Sequence, residues 1–388
     1  MYRYDELEFE NLFIFFFWLA IITAKGGDYM EQFYCKTKIL SGPGSVVRLK
    51  ELGSQRLLMV ADPYFTKDGT AMQIANLSGA GKIEIFDKIM PDPSTQLVAE
   101  GTALVQAFKP DTIVALGGGS TLDCAKAMAY FGGLAVRLVA IPTTSGSGSE
   151  VTDFAILTHG ETKHPLIDEK MQPDVAILDG GLLKQLPKSL IADCGFDVLS
   201  HALESYVATN SSAITDALAR DGFLLAFTHL SASFGGDVAV RQQIHTAATM
   251  AGMAFSQAGL GLCHAMAHAL GGQFHLPHGR LNAILMPHIL DQNTAASGKY
   301  ASLARYAGLG GSTDMLAVRN LKNALIRLRR ELRLPQDLAQ AGIASTQVRE
   351  KTEKILQDVL ADPCCKTNPV PVTGDMVRRV LEAVTGHG

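Results

Sequence analysis

The sequence predicts an α/β domain with a doubly wound, mainly parallel sheet, followed by an all-helical domain. Two patterns lead to this fold class. Between about residues 55 and 180, short apolar runs alternate with amphipathic stretches, and Gly, Pro, Ser or Asp stands at most of the run ends. After Pro187 helical periodicity dominates and few strand-like runs occur. The change places the domain boundary near residue 188, with an α/β domain at 30–188 and a helical domain at 189–388.

Five apolar runs of strand length carry the sheet prediction. They are Leu57–Ala61, Lys82–Phe86, Thr112–Leu116, Leu138–Ile141 and Val175–Leu178. The stretch Ser94–Phe108 has helical spacing, and Ser94 is a suitable N-cap for it. Strand, helix and strand in succession are the pattern of a parallel sheet with helices on its faces.

The helical domain is predicted from six further segments. They are Ile191–Ala208, Ala213–Leu230, Arg241–Ala254, Leu262–Leu270, Asp314–Leu332 and Gly374–Val384. No internal repeat or low-complexity linker interrupts the chain. Because ligands bind preferentially between domains, we expect the ligand site in a cleft between the two halves.

The composition limits the kind of partner. The 388 residues include 34 Lys and Arg against 38 Asp and Glu, for a formal net charge of −4. Without a basic excess, the chain is not expected to bind nucleic acid. The six cysteines include no C-x-x-C pair, which at this length indicates a reducing, cytoplasmic setting rather than a disulfide scaffold.

An apolar stretch, LFIFFFWLAIITA, occupies residues 12–24. It is shorter than the about 20 residues that a membrane-spanning helix needs. Acidic residues precede it, whereas a secretory signal has a positively charged leader. We therefore predict no membrane partner and interpret residues 1–29 as an extension with no role in the fold. A buried strand or a membrane-surface helix is the alternative.

A glycine-rich turn follows the third predicted strand. Gly117, Gly118, Gly119 and Ser120 lead directly into a helix. Glycines let main-chain N–H groups approach a ligand, and a helix start adds a partial positive charge, so this turn suits a phosphate or pyrophosphate. The dinucleotide fingerprint G-x-G-x-x-G is only half met, because Leu122 stands where the third glycine belongs. The alternative is a tight turn that binds no ligand.

Two other strand ends support a dinucleotide. Asp62 follows the first predicted strand, where its carboxylate suits a ribose 2′-hydroxyl and repels a 2′-phosphate, which favours NAD over NADP. The alternative for Asp62 is an Asx turn before Pro63. Residues 142–150, PTTSGSGSE, follow the fourth strand and offer hydroxyl groups and glycines to a phosphate or ribose. Alone, this segment would be interpreted as a flexible loop.

Histidines concentrate in one part of the helical half. Five of the 11 lie close together: His264, His268, His275, His278 and His288. His264 and His268 are four residues apart and share a helix face, and so do Asp197 and His201. One carboxylate with several imidazoles is a mixed oxygen and nitrogen donor set for a metal ion. Spacing does not select the ligands, and a structural role for each histidine is the alternative.

Two neighbours of this cluster have local interpretations. His278, between Pro277 and Gly279, is predicted to lie at a turn. Asp193, one helical turn before Asp197, is interpreted as a carboxylate that stabilises a helix N terminus.

Taken in order, these motifs resemble the iron-containing (group III) alcohol dehydrogenase family, from about Leu40 to the C terminus. The resemblance is carried by GGGSTLDCAKA, AIPTTSGSGSEVT, KHPLIDEKMQPDVAILD, DCGFDVLSHALESY, GMAFSQAGLGLCHAMAH and LPHGRLNAILMPH. Within the family, GMAFSQAGLGLCHAMAH and GGQFHLPHG are most similar to the 1-propanol dehydrogenases of bacterial microcompartments and to the alcohol dehydrogenase of ethanolamine utilisation. The resemblance implies a Rossmann-like α/β domain and an all-α domain in the dehydroquinate synthase-like architecture.

The resemblance also implies roles for single positions. The implied metal ligands are Asp197, His201, His264 and His278. The implied cofactor residues are Asp62, Gly118, Gly119, Ser120, Asp123, Thr143, Thr144, Ser147, Thr152 and Lys163. His268 is implied as a catalytic residue near the substrate that is not a ligand. Its expected role is to relay a proton, and orientation of the site is the alternative.

The implied reaction is the NAD(H)-dependent interconversion of a short-chain primary alcohol, foremost 1-propanol, and its aldehyde. A divalent ion polarises the substrate oxygen. The donor set suits Fe(II) or Zn(II), and the resemblance favours Fe(II). A short aliphatic substrate is also suggested by apolar residues near the ligands: Phe255, Leu260, Leu262 and Phe274. The implied setting is a homo-oligomer in the cytoplasm, inside a microcompartment with cargo partners.

Arg280 departs from the family pattern, in which a small or apolar residue follows the ligand turn. It either alters substrate choice or faces solvent. Two other functions are weighed. A metal- and NAD-dependent lyase like dehydroquinate synthase needs several Lys and Arg side chains to bind a phosphorylated acid, but residues 255–290 offer only Arg280. A non-catalytic microcompartment protein is disfavoured by the intact ligand and cofactor motifs.

Overall fold

A computed structural model describes residues 32–160 and 162–386 of the chain. The interpretation of residues 1–29 as an extension lies outside these residues. A parallel sheet with its helices comes first in the chain, and a helical half follows. The predicted fold class is therefore confirmed. In the part described, no helix is both long enough and apolar enough to cross a membrane.

The strands agree with the sequence prediction, with additions. They are β1 (Lys38–Ser41), β2 (Arg56–Ala61), β3 (Lys82–Phe86), β4 (Thr112–Gly117), β5 (Arg137–Pro142), β6 (Phe154–His159), β7 (Thr162–Ile167) and β8 (Val175–Leu178). The parallel sheet has the order β1-β8-β5-β4-β2-β3, and β6 pairs antiparallel with β7. The five predicted strands are confirmed. Strand β1 and the hairpin were not predicted. The apolar runs of β1 and β7 are only two residues long, whereas the run Phe154–Leu157 in β6 is as long as two of the recognised runs and was overlooked.

Helices cover both faces of the parallel sheet. In β2, Leu57, Met59 and Ala61 face one hydrophobic core, whereas Leu58 and Val60 face the other. Strands that are buried on both faces carry continuous apolar runs instead of an alternating pattern. This burial explains why the central strands were visible in the sequence.

The strand order reverses beside β2. The chain passes from β2 outward to β3, returns to the opposite side of β2 as β4, and continues outward through β5. Such a reversal leaves a crevice at the carboxyl ends of the strands, where open α/β sheets bind their ligands. Asp62 follows β2, the glycine turn follows β4 and the loop at residues 142–150 begins at the end of β5, so these predicted cofactor residues lie at this edge, whereas Lys163 is in β7.

The helices of the first half connect the strands. They are α1 (Pro63–Lys67), α2 (Thr70–Leu77), α3 (Thr95–Phe108) and α4 (Gly119–Gly132). The predicted cap of α3 is present, because the Ser94 hydroxyl accepts a hydrogen bond from the Leu97 N–H at 3.1 Å. Replacing such a cap by alanine costs about 1 kcal/mol.

The second half packs its helices around one large hydrophobic core. The helices are α5 (Lys188–Val207), α6 (Ala213–Gly235), α7 (Arg241–Ala258), α8 (Leu262–Phe274), α9 (His278–Gln292), α10 (Ser297–Tyr306), α11 (Asp314–Glu331), α12 (Ser345–Ala361) and α13 (Gly374–Thr385). All six predicted segments are helical, with ends that shift by a few residues. Helices α9, α10 and α12 were not predicted. Helix α5 begins at the predicted domain boundary. The division into two domains at that point stays a prediction.

The prediction that His278 lies at a turn is wrong, because His278 is the first residue of α9. A Cβ atom on Gly279 would overlap the main-chain carbonyl of Asp193 in α5. Gly279 therefore lets α5 and α9 touch, and it does not mark a change of chain direction. Pro277 immediately precedes the first helical residue, where its fixed φ angle is compatible with a helix start.

Candidate active site

The two predicted cofactor loops contact each other at the carboxyl edge of the sheet. Gly118 is the N-cap of α4 and Gly119 its first residue. A Cβ atom on Gly118 would lie 3.3 Å from Oγ1 of Thr144, and one on Gly119 would lie 3.0 Å from Oγ of Ser147. Residues 118–120 are half-buried. Glycine thus permits the close contact of the loops while the start of α4 stays partly exposed.

Thr143 and Ser120 connect these loops to their surroundings. The N–H of Thr143 donates to the carbonyl of Gly117 at 2.9 Å, which ties the second loop to the end of β4. The Ser120 hydroxyl accepts a hydrogen bond from the N–H of Asp92 at 3.3 Å. The structure therefore brings Gly118, Gly119, Ser120, Thr143, Thr144 and Ser147 together.

Asp62 lies at the neighbouring strand end, where its N–H donates to the carbonyl of Leu116 at 3.0 Å. Its Oδ1 atom accepts a hydrogen bond from the N–H of Tyr64 at 2.9 Å and caps α1. The local turn weighed in the sequence analysis is therefore present. It occupies one carboxylate oxygen, so recognition of a ribose by Asp62 stays a prediction.

Asp123 does not contribute to the crevice as the resemblance implied. It is buried, its Oδ1 accepts from the Ser149 hydroxyl at 2.6 Å, and its Oδ2 accepts from the N–H of Ile156 at 3.0 Å. Because both oxygens are used within the protein, we assign Asp123 to supporting the second loop. Thr152 is also buried, and its hydroxyl accepts from Nζ of Lys126 at 2.9 Å. Lys163 is in β7, and its side chain lies outside the described part.

The four predicted metal ligands converge from three helices. Asp197 and His201 come from α5, His264 from α8 and His278 from α9. Oδ1 of Asp197 lies 3.9 Å from Nε2 of His201, 3.8 Å from Nε2 of His264 and 3.5 Å from Nε2 of His278. These distances are too long for good hydrogen bonds, although all three imidazole nitrogens surround the same carboxylate oxygen.

The donor atoms of Asp197, His201 and His264 lie within 4.8 Å of one another, a spacing that suits a single metal ion, whereas His278 lies outside this group and approaches it through the Asp197 oxygen. Donors that each lie about 2.1 Å from an ion in tetrahedral geometry are about 3.4 Å apart. The separations of 3.5, 3.8 and 3.9 Å from Asp197 Oδ1 are close to that value. Three imidazoles and one carboxylate are also a chemically suitable set for Fe(II) or Zn(II).

Glu204 holds the central imidazole and was missed by the sequence analysis. Its Oε2 lies 2.6 Å from Nδ1 of His264, which leaves Nε2 of that ring directed to Asp197. Glu204 also accepts hydrogen bonds from the main-chain N–H groups of Gly261 and Cys263, at 3.0 and 2.6 Å. It thereby fixes the start of α8. Its position seven residues after Asp197, on the same face of α5, was the available sequence signal.

Asn282 is a second supporting residue that was missed. Its Nδ2 donates to Oδ1 of Asp197 at 2.9 Å. Asn282 is fully buried in α9, four residues after His278 and therefore on the same helix face. Helix α9 thus supplies one predicted ligand and orients another.

Burial and mutual attraction shift the pKa values in this cluster. Burial alone would raise the pKa of Asp197, but the surrounding histidines hold it well below its ordinary value. Burial lowers the pKa of His201 to about 4. Burial opposes protonation of His264, but hydrogen bonds to Asp197 and Glu204 outweigh it and raise its pKa to about 9. Asp197 and His264 thus favour each other's charged forms.

His268 lies beside the metal-ligand candidates and is paired with a carboxylate. Its Nδ1 is 2.8 Å from Oδ2 of Asp362, and its ring stacks on His278 with the centroids 5.1 Å apart. The side chain of His268 is 43% exposed. This location is compatible with the predicted proton relay, which stays a prediction. Asp362 was not identified from the sequence, because it is 94 residues away along the chain.

Arg280 and Asp193 form an ion pair next to the cluster. Nε of Arg280 lies 3.1 Å from Oδ1 of Asp193, and Nη2 lies 2.9 Å from Oδ2. Asp193 is the sixth residue of α5, so its interpretation as a helix N-terminal carboxylate is wrong. Arg280 is thus paired with Asp193 and partly exposed, and its expected influence on substrate choice stays a prediction. The pair borders a cavity of about 350 Å³ that reaches Asp197 and His278.

The predicted apolar surroundings are only partly present. The Phe255 ring stacks on His201 with centroids 4.3 Å apart, and Leu262 is buried at the start of α8. Phe274 ends α8, ten residues after His264 and thus about 15 Å farther along the helix. Phe274 is therefore distant from His264 along the helix, but His278 follows it by only four residues, so its place near the substrate stays a prediction.

Two family models match the chain. The model for iron-containing alcohol dehydrogenases matches residues 36–180, and the model for the C-terminal part of the Fe-containing alcohol dehydrogenase family matches residues 191–385. The first covers the sheet and the predicted cofactor loops. The second covers all four predicted metal ligands.

Characterised relatives match almost the whole chain. A 1-propanol dehydrogenase of Salmonella typhimurium is 37% identical over 367 residues, covering 91% of this chain and 99% of that protein. An NADPH-dependent butanol dehydrogenase of Clostridium saccharobutylicum is 36% identical over 380 residues, covering 92% of this chain and 98% of that protein. Both similarities extend across the two halves.

A solved structure supports the same relationship. The iron-containing alcohol dehydrogenase of Thermococcus thioreducens has a TM-score of 0.85 and 30% sequence identity, covering 91% of this chain and 99% of that chain. The common fold thus includes the sheet edge and the helices that carry the predicted ligands. The chain belongs to the iron-containing alcohol dehydrogenase family and is an alcohol dehydrogenase.

Proposed function

We propose that this alcohol dehydrogenase uses NAD(H) and Fe(II) to interconvert a short-chain primary alcohol and its aldehyde, with 1-propanol and propanal as the principal pair. The observation that carries the proposal is the convergence of three imidazole Nε2 atoms, 3.5 to 3.9 Å away, on one oxygen of Asp197. The similarity to a 1-propanol dehydrogenase supports the substrate.

Asp197, His201, His264 and His278 would hold the metal ion. When bound there, a divalent ion polarises the oxygen of the alcohol or aldehyde as a Lewis acid. Glu204 orients His264 through Nδ1, and Asn282 orients Asp197 through Oδ1. Family membership favours Fe(II), whereas Zn(II) is the alternative on donor chemistry.

The glycine turn at Gly118–Ser120 and the loop that includes Thr143, Thr144 and Ser147 would bind the dinucleotide. A dinucleotide bound there would supply the hydride acceptor or donor for the substrate carbon. The N terminus of α4 offers unpaired N–H groups and a partial positive charge to the pyrophosphate. Asp62 favours a free ribose 2′-hydroxyl, and therefore NAD over NADP.

The chain's own side chains would provide the apolar wall and the proton path. The Phe255 ring, stacked on His201, limits the water beside the predicted ligand. Asp362 holds Nδ1 of His268, so Nε2 of that ring is left to exchange a proton. Because His268 is partly exposed, the proton has a path to solvent.

The alternatives weighed from the sequence lose support. The dehydroquinate synthase-type lyase needs several cationic side chains in the cleft to bind its acidic substrate. The one candidate in residues 255–290, Arg280, is already paired with Asp193. A non-catalytic role would leave no reason for the preorganised donor cluster. A homo-oligomer in the cytoplasm, carried as cargo in a microcompartment, remains part of the proposal. It rests on the sequence resemblance to microcompartment enzymes.

The test combines metal analysis with an aldehyde panel. Protein purified anaerobically should contain about one Fe(II) per chain and oxidise NADH with aldehydes from acetaldehyde to butanal, fastest with propanal. His264→Ala should lose both properties. His159→Ala is the matched control, because this histidine is exposed on the hairpin and contacts Thr95. Metal-loaded protein that oxidises NADH with none of these aldehydes would refute the proposal.

A further inference from the structure

Arg280 and Asp193 form a two-point ion pair in a sheltered position. The distances are 3.1 Å from Nε to Oδ1 and 2.9 Å from Nη2 to Oδ2. The side chains are 28% and 10% exposed, respectively. A bidentate arginine–carboxylate pair fixes relative orientation as well as adding attraction. It therefore defines the geometry of the two helices that it joins.

The pair joins the helices that carry two of the predicted metal ligands. Asp193 lies one turn before Asp197 on α5, and Arg280 lies two residues after His278 on α9. Between them, Gly279 brings the backbone of α9 against the Asp193 carbonyl, where no Cβ atom would fit. The ion pair thus fastens the two helices where they touch.

His278 needs such an anchor more than the other imidazoles do. It is the first residue of α9, and residues in a first helical turn lack part of the intrahelical hydrogen bonding. Its side chain is 34% exposed, whereas those of His201 and His264 are 7% and 2% exposed. Arg280 lies in the same first turn and connects it to α5.

We propose that the Asp193–Arg280 pair is a positioning pair that holds His278 against Asp197 and thereby sets how tightly the metal ion is bound and how slowly it leaves. Neither residue is one of the four proposed ligands. The inference rests on the proposed metal site. It gives a positioning role to Arg280, which was expected from the sequence to alter substrate choice or to face solvent.

Positioning and simple electrostatics predict opposite results for one variant. Replacing Arg280 by methionine removes a positive charge near the ion and leaves Asp193 uncompensated. Charge alone would therefore strengthen cation binding. If the pair positions His278, the same substitution weakens binding, because the first turn of α9 loses its attachment.

The experiment measures metal binding directly. Metal-free parent, R280M, R280K and D193N are titrated anaerobically with Fe(II) against a chromophoric chelator, and the rate of metal loss is followed in excess chelator. We expect R280M and D193N to bind at least about tenfold more weakly and to lose metal faster. R280K keeps the charge but not the two-point geometry, so it should fall between R280M and the parent. Unchanged or tighter binding by R280M would overturn the proposal.

Matched controls separate positioning from general damage. Arg305→Met removes an exposed pair with Asp314, 2.8 Å apart, and should leave metal affinity unchanged. Circular dichroism of each metal-free variant checks the fold. If R280M does not fold, R280K decides: weaker binding supports the proposal, and parental binding overturns it. If the proposed metal site itself is wrong, the parent and H264A will bind the ion equally well. This result is distinct from a failure of the positioning proposal, in which H264A loses the ion but R280M does not.

Discussion

Oε2 of Glu204 lies 2.6 Å from Nδ1 of His264, and both side chains are almost fully buried. The contact fixes the imidazole so that its other nitrogen, Nε2, is directed to Asp197. Carboxylates that hold metal-binding histidines in this way set ring orientation and ligand basicity. Glu204 therefore determines how one of the four predicted ligands is presented.

Replacing Glu204 by glutamine tests this relationship. The amide keeps the size of the side chain but removes its charge and its strong acceptor for the Nδ1 proton. We expect metal affinity to fall by about 10- to 100-fold, measured by chelator competition. The loss of charge-assisted hydrogen bonds to the start of α8 should also lower stability by about 1–3 kcal/mol. Parental metal affinity in the folded variant would show that Glu204 does not orient the ligand.

Asp62→Asn tests the choice of dinucleotide while keeping the local turn. An asparagine oxygen can still accept from the Tyr64 N–H, which the present Oδ1 atom does at 2.9 Å. Because the negative charge is lost, the ratio of kcat/KM for NADPH to that for NADH should rise by about tenfold or more. Steady-state kinetics with both cofactors measure the ratio. If the ratio stays at the parental value, Asp62 does not select the ribose.

Gly119→Ala tests the glycine turn as a cofactor site. The new methyl group would lie 3.0 Å from Oγ of Ser147, so one of the two loops must shift. We expect KM for the dinucleotide to rise at least about tenfold, because the loop amides lose their alignment. Gly272→Ala is the control, since a Cβ atom there meets nothing within 4 Å. A parental KM in the G119A enzyme would place the pyrophosphate elsewhere.

Lys126 gives the stability of the protein a specific pH dependence. Burial lowers its pKa to about 8 from the ordinary value of 10.5, against the attraction of Asp123 and Glu150. Between these pH values the unfolded chain binds the proton and the folded chain does not, so the free energy of unfolding rises with pH. Below about pH 8 both states are protonated and this contribution does not change.

The comparison with Lys126→Met isolates this effect. Urea unfolding at about pH 7.5, 9 and 10 should show the parent gaining stability relative to the variant as the pH rises. Other groups titrate in both proteins, so the difference reports mainly on Lys126. A difference that does not vary over this range would contradict the lowered pKa of the buried amine.

The sequence predicted what depends on local pattern. Buried strands such as β4 have continuous apolar runs, and Asp197 and His201 share a helix face through their spacing, so both could be recognised. His278 could not be placed from local pattern, because Gly279 serves a contact with α5 that is distant in sequence. Glu204 and Asn282 also escaped notice, since their importance depends on which groups face them across the helix interface. Pairings of this kind, like Asp193 with Arg280, arise only from the three-dimensional packing.

The proposed activity requires a single metal ion between Asp197, His201, His264 and His278. Anomalous diffraction at the iron absorption edge, from crystals of anaerobically purified protein, would locate the ion most directly. We expect one strong peak within about 2.3 Å of the Asp197 oxygen and of all three imidazole Nε2 atoms. A peak at His268, Asp362 and Cys364, whose donor atoms lie within 4.8 Å of one another, with none at Asp197, would contradict the account.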